Sequence, residues 1–165
     1  MIKTVMVKRA MAVGLVALGS SLFMATSAQD GPTPEQQAQE AAETRQSLFK
    51  LFRYNLGTIS GMARGTVEFD AEVAERNARR IAAMAPMVPE LFAAMDTREY
   101  DIETEALPVI WEQFDLFEQR AQALIDGANE FADIAAGGDR METLGAIRAF
   151  GANCGNCHET FRVDD

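Results

Sequence analysis

Cys154, Cys157 and His158 stand within five residues of one another, and they are the only thiols and the only imidazole in the 165-residue chain. In Cys154-Gly155-Asn156-Cys157-His158 the thiols are three positions apart. On a helix this spacing puts both on one face, where two thioether bonds can reach the two vinyl-derived carbons on one side of a porphyrin. His158, four residues after Cys154, can then project toward the iron, and Gly155 and Asn156 offer little bulk against the macrocycle edge. The C-x-x-C-H pattern therefore predicts covalent attachment of one haem c per chain through Cys154 and Cys157, with His158 as the axial iron ligand.

Three rival chemistries fit less well. A thioredoxin-like redox motif should follow a strand in a β-α-β setting, and no stretch of this sequence alternates with strand period. A zinc site needs four ligands, and one histidine beside two cysteines does not supply them. A plain disulfide, the simplest use of two cysteines in an exported chain, leaves the adjoining histidine unexplained. The lone histidine also limits the iron's sixth position to methionine, water, a small ligand or nothing. The methionines beyond the leader are Met62, Met84, Met87, Met95 and Met141. A nucleophilic triad cannot be assembled around a histidine already given to iron, so no enzyme activity is expected.

The elements that must position these groups read as four amphipathic helices. Thr33, Pro34 and Gln36 form an N-cap, first-turn proline and capping-box set for a first helix that carries Ala38, Ala41, Leu48, Phe49, Phe52, Leu56 and Ile59 on one side. Asp70 caps a second helix with Val73, Ala74, Ile81 and Met84 inward, ended or kinked by Pro86 and Pro89. Residues 96–107 read as a loop. A third helix opens at Pro108 and presents Ile110, Trp111, Phe114, Phe117, Leu124, Ile125 and Phe131. Gly137 and Gly138 end it, and Asp139 with Glu142 starts a fourth, on which Leu144, Ile147, Cys154, His158 and Phe161 share a face. The predicted fold is an all-α, antiparallel, up-down-up-down four-helix bundle.

Residues 1–28 read as a signal peptide instead of part of the fold. Lys3, Lys8 and Arg9 precede an uncharged apolar run, and small residues at Thr26 and Ala28 offer a cleavage site after Ala28. The run is shorter than the ~20 residues a membrane-spanning helix needs. Cleavage leaves residues 29–165 as one domain in the periplasm, without stable membrane association. Lys+Arg then falls from 15 to 12 while Asp+Glu stays at 25, a net charge of about −13. Such a chain repels nucleic acid and anionic membranes and attracts basic protein partners.

These residues resemble the class II c-type cytochromes, and in particular the cytochromes c′. The likeness spans the mature chain and is most specific at Cys154 to Arg162, at Arg45-Gln46, and at Pro108-x-Ile110-Trp111. The resemblance implies that Cys154 and Cys157 carry the haem and His158 binds its iron. It further implies that Arg45 and Gln46 lie against the haem and its propionates, that Arg162 sits near the proximal histidine, and that Glu105 lies near the haem edge. It places Phe49 over the distal face, where low-spin relatives use a methionine. Phenylalanine cannot coordinate iron, so the implied state is a five-coordinate, high-spin haem that takes up NO or CO beneath Phe49 and exchanges electrons at its edge. The alternative is a six-coordinate low-spin electron carrier with methionine as sixth ligand. A homodimer paired through the first two helices is compatible with the resemblance, which names no redox partner protein.

Overall fold

The computed structural model describes residues 31–163, so the leader, its cleavage point and the last two residues lie outside the described part. Six helices follow in order: α1 Pro34–Ala63, α2 Ala71–Met84, α3 Met87–Ala94, α4 Val109–Glu112, α5 Phe114–Ala136 and α6 Arg140–Phe161. The four long ones, α1, α2, α5 and α6, make the antiparallel bundle that the hydrophobic spacing predicts. Among the described residues there is no strand, only one antiparallel bridge between Ala106 and Arg162.

Each long helix starts where the sequence offers a side-chain acceptor. The Gln36 N–H donates to Thr33 Oγ1 at 3.3 Å while the Thr33 N–H donates to Gln36 Oε1 at 2.8 Å, closing the capping box of α1. Asp70 accepts from the Val73 N–H at 3.0 Å and Asp139 from the Glu142 N–H at 2.9 Å. Gly138, at φ 77°, takes the left-handed turn between α5 and α6 that a side chain would resist.

Two elements differ from expectation. The proline pair does more than end α2: Pro86 stands at the N-cap of α3, whose buried Val88 and Phe92 belong to the core. The predicted third helix is interrupted at Gln113, which adopts φ −124° and ψ 47°, so its first turn becomes the separate α4. No glycine or proline marks the break. Tertiary ties hold α4 instead: Trp111 donates its indole Nε1–H to the Phe92 carbonyl at 3.1 Å, and the Leu107 N–H bonds the Phe161 carbonyl at 3.0 Å.

The interior divides into two cores along the bundle. One joins Ile59 and Met62 of α1, Ala78 and Ile81 of α2, Phe131 and Ala132 of α5, and Phe150 of α6. The other joins Leu48 of α1, Val88 and Phe92 of α3, Ile110 of α4, Phe117 and Ala121 of α5, and Phe161 of α6. Phe52 packs against both. Burial of each large apolar side chain contributes roughly 1.5–3 kcal/mol. Cys157 lies against the second core.

Candidate functional site

The attachment segment is held by the close approach of α5 and α6. Gly127 of α5 faces the Asn153 side chain, the residue before Cys154: a Cβ there would lie 2.2 Å from Asn153 Nδ2, so the amide occupies the space a side chain at 127 would take. Cys154 and Cys157 are half-buried and unbridged. Burial pushes the Cys157 thiol up to about 11, although the positive charge of Arg120 pulls the other way, and burial raises Cys154 as well. Both are thiols and not thiolates at neutral pH, which disfavours nucleophilic or metal-thiolate chemistry.

His158 is exposed beside the two thiols, one turn before the end of α6. Desolvation and then the Arg162 charge lower its pKa, while Glu105 opposes them. The neutral imidazole favoured by this environment is the form that binds iron. Glu105 and Arg162 meet beside it: Arg162 Nε stands 3.5 Å from Glu105 Oε2, the Val163 N–H donates to the Glu105 carbonyl at 2.9 Å, and the Arg162 N–H donates to the His158 carbonyl at 3.0 Å. Residues expected at the haem edge and the proximal side thus share one corner.

On α1, half-buried Phe49 sets its ring edge-on to Phe52 at 5.8 Å and packs against the core that holds Cys157. Gln46 faces the 96–107 loop, its Nε2 donating to the Glu103 carbonyl at 3.3 Å. Arg45 is tied to protein oxygens at the end of α3. It is only 5% exposed, and its guanidinium is taken up by protein oxygens: Nε and Nη2 donate to the Leu91 carbonyl, Nη2 to that of Met95, and Nη1 to Thr97 Oγ1. Its charged carbon lies 4.4 Å from the Phe92 ring centre and 5.6 Å from that of Trp111. Burial lowers its pKa and Asp96 raises it. Arg45 therefore fastens the end of α3 to α1. Sequence reasoning passed over Arg120, whose charge reaches Cys157; its spacing of three from Phe117 and four from Leu124, on the apolar side of α5, was the available signal.

These residues fit a haem. Two thiols lie one helical turn apart, a neutral imidazole adjoins them, an aromatic wall stands across the second core, and the buried Nε of Arg120 lacks a partner. A helical bundle with this donor set on its α6 helix defines a c-type cytochrome. The family model described as Cytochrome C' matches residues 40–162, and the chain belongs to that family. Among its relatives, cytochrome c-554 of Cereibacter sphaeroides is 39% identical over 130 residues, covering 78% of this chain and 97% of the relative. The structure of cytochrome c prime from Shewanella frigidimarina superposes with a TM-score of 0.68 at 31% identity, over 77% of this chain and 97% of that one. The nitric oxide complex of a variant of cytochrome c prime from Alcaligenes xylosoxidans shares the fold, with a TM-score of 0.66 at 24% identity over 77% and 97% of the two chains. The chain binds haem c covalently, as its family does.

Proposed function

We propose that this chain is an exported, periplasmic high-spin cytochrome c′ that binds nitric oxide or carbon monoxide at an open iron position and exchanges electrons at the haem edge, without substrate turnover of its own. Bound haem supplies a redox-active iron with one axial position for a diatomic ligand. Cys154 and Cys157, both unbridged, would hold the haem through their sulfurs. His158 would hold the iron through its imidazole, and the Glu105–Arg162 pair beside it biases its protonation and holds the end of α6. Export rests on the leader read in residues 1–28, and among the described residues no helix is long and apolar enough to cross a membrane.

The observation that carries the reading is Phe49. This non-coordinating side chain packs against the same core as Cys157. An apolar wall without a hydrogen-bond donor admits NO and CO and does little for polar bound O₂. NO is bound in the Alcaligenes protein of the same fold. One observation favours a second reading, the low-spin electron carrier: Met84 packs against the core that contains Cys157 and Phe49. The optical spectrum of the reduced protein with and without CO separates the two. Broad high-spin bands that sharpen with CO are expected. Sharp low-spin bands indifferent to CO would replace gas binding with electron carriage, and Met84→Leu would then have to abolish them.

A further inference from the structure

Between α1 and α2 lies a groove of about 360 Å³ lined by Leu51, Tyr54, Asn55, Arg80, Ala83 and Met84, none of them on the helix that carries the thiols. Its walls are mostly apolar, and two of them are large side chains left open to solvent, Leu51 at 51% and Tyr54 at 71% exposure. Asn55, by contrast, is only 5% exposed. Its Nδ2 donates to the Leu51 carbonyl at 2.9 Å, which fixes the orientation of the amide, and its Oδ1 then accepts from no donor. A buried oxygen without a donor is costly, so this position calls for an N–H or O–H from an occupant of the groove.

The groove also carries the opposite of the chain's charge. Of the 25 acidic residues none falls between Glu43 and Glu68 or from Arg76 to Pro89, the stretches that build both walls. Exposed Arg80 stands in the groove itself, and its Nη1 donates only a long bond, 3.4 Å, to Asn77 Oδ1. Lys50, one helical turn before Tyr54, is exposed and makes no ion pair among the described residues. An occupant matching these features is flat and apolar in the middle, with a hydroxyl for Asn55 and an anion for Arg80. A second copy of the chain matches them less well, because a two-fold contact on this face would bring the same cations together.

We propose that this groove binds a hydroxylated aromatic carboxylate, its ring between Leu51, Tyr54 and Met84, its hydroxyl donating to Asn55 Oδ1 and its carboxylate meeting Arg80. Oδ1 is shut off from water by the side chains above it, so entry takes a change of rotamer in the exposed ones, and Arg80 exchanges its long bond to Asn77 for the carboxylate. The inference uses no property of the haem or its iron.

The test titrates the haem-loaded protein by calorimetry with 4-hydroxybenzoate, and with benzoate and phenol for comparison. 4-Hydroxybenzoate should bind saturably at a single site, and benzoate, which lacks the donor, about tenfold more weakly. Arg80→Gln should weaken 4-hydroxybenzoate about tenfold and leave phenol, which has no carboxylate, unchanged. Asn55→Leu should erase the difference between 4-hydroxybenzoate and benzoate; if that variant does not fold, the two ligands on the wild-type protein read the same contact. The Soret band should stay in place throughout, which separates the groove from the iron. A Soret shift with an affinity that Arg80→Gln leaves unmoved would put the ligand on the haem and overturn the proposal, as would the absence of saturable binding at millimolar concentration. Sedimentation of the unliganded protein is the remaining check: a dimer that Arg80→Glu divides would mean that a second copy covers the face, and would equally overturn it.

Discussion

Arg45, the buried cation of the site, illustrates how burial assigns work to a side chain. Arg45 sits among carbonyls at the end of α3, and replacing it with methionine leaves the Leu91 and Met95 oxygens and the Thr97 hydroxyl without their donor. Arg45→Met should cost about 2–4 kcal/mol, read from the urea midpoint, and lysine should not rescue it because one ammonium cannot span three acceptors. Cys157 yields a prediction with a definite pH sign. In the haem-free chain its thiol is pushed up to about 11, roughly two units above an ordinary cysteine near 9. Alkylation at pH 8 should therefore run about a hundredfold slower than for free cysteine and quicken about tenfold per pH unit until the thiol titrates. A rate matching free cysteine would mean that the thiol is not buried. The C-x-x-C-H triplet was legible because its geometry is local to one helical turn. The task of Arg45 was not, since its acceptors come from 46 and 52 positions away.

At the scale of elements, the helix starts were readable because caps are local: Thr33 with Gln36, Asp70, and Asp139 ahead of Glu142 each act within three residues. Asp139→Ala should lower stability by about 1 kcal/mol in chemical denaturation, and because it loosens the start of α6 it should leave α1 unaffected in local exchange measurements. The break at Gln113 was hidden for the opposite reason. Its causes are the indole bond from Trp111 to Phe92 and the pairing of Leu107 with Phe161, which join α4 to elements distant in sequence. The separate α3 was half legible: the prolines announced an interruption, but that Val88 and Phe92 return to the core depends on α1 and α5 being there to receive them.

At the scale of the whole molecule, the hydrophobic pattern was sufficient for the bundle, while the division of its interior into two cores was not visible in any single helix face. The core of Ile59, Ile81, Phe131 and Phe150 is completed by polypeptide alone, with the Phe131 and Phe150 rings stacked at 5.0 Å. The core of Leu48, Phe92, Phe117 and Phe161 is the one that Cys157 adjoins, where a haem held by that residue would add its own apolar surface. Rigidity should therefore arrive in two instalments. Before haem is attached, amides of α2 and the C-terminal half of α5 should exchange slowly with solvent deuterium, while those of α3, α4 and the last turns of α6 exchange fast; attachment should slow the second group by orders of magnitude and the first only slightly. Uniform protection in the haem-free chain would contradict this. If exchange follows that order, one end of the chain serves as a finished scaffold while the end bearing Cys154 and Cys157 stays open to the machinery that installs the cofactor.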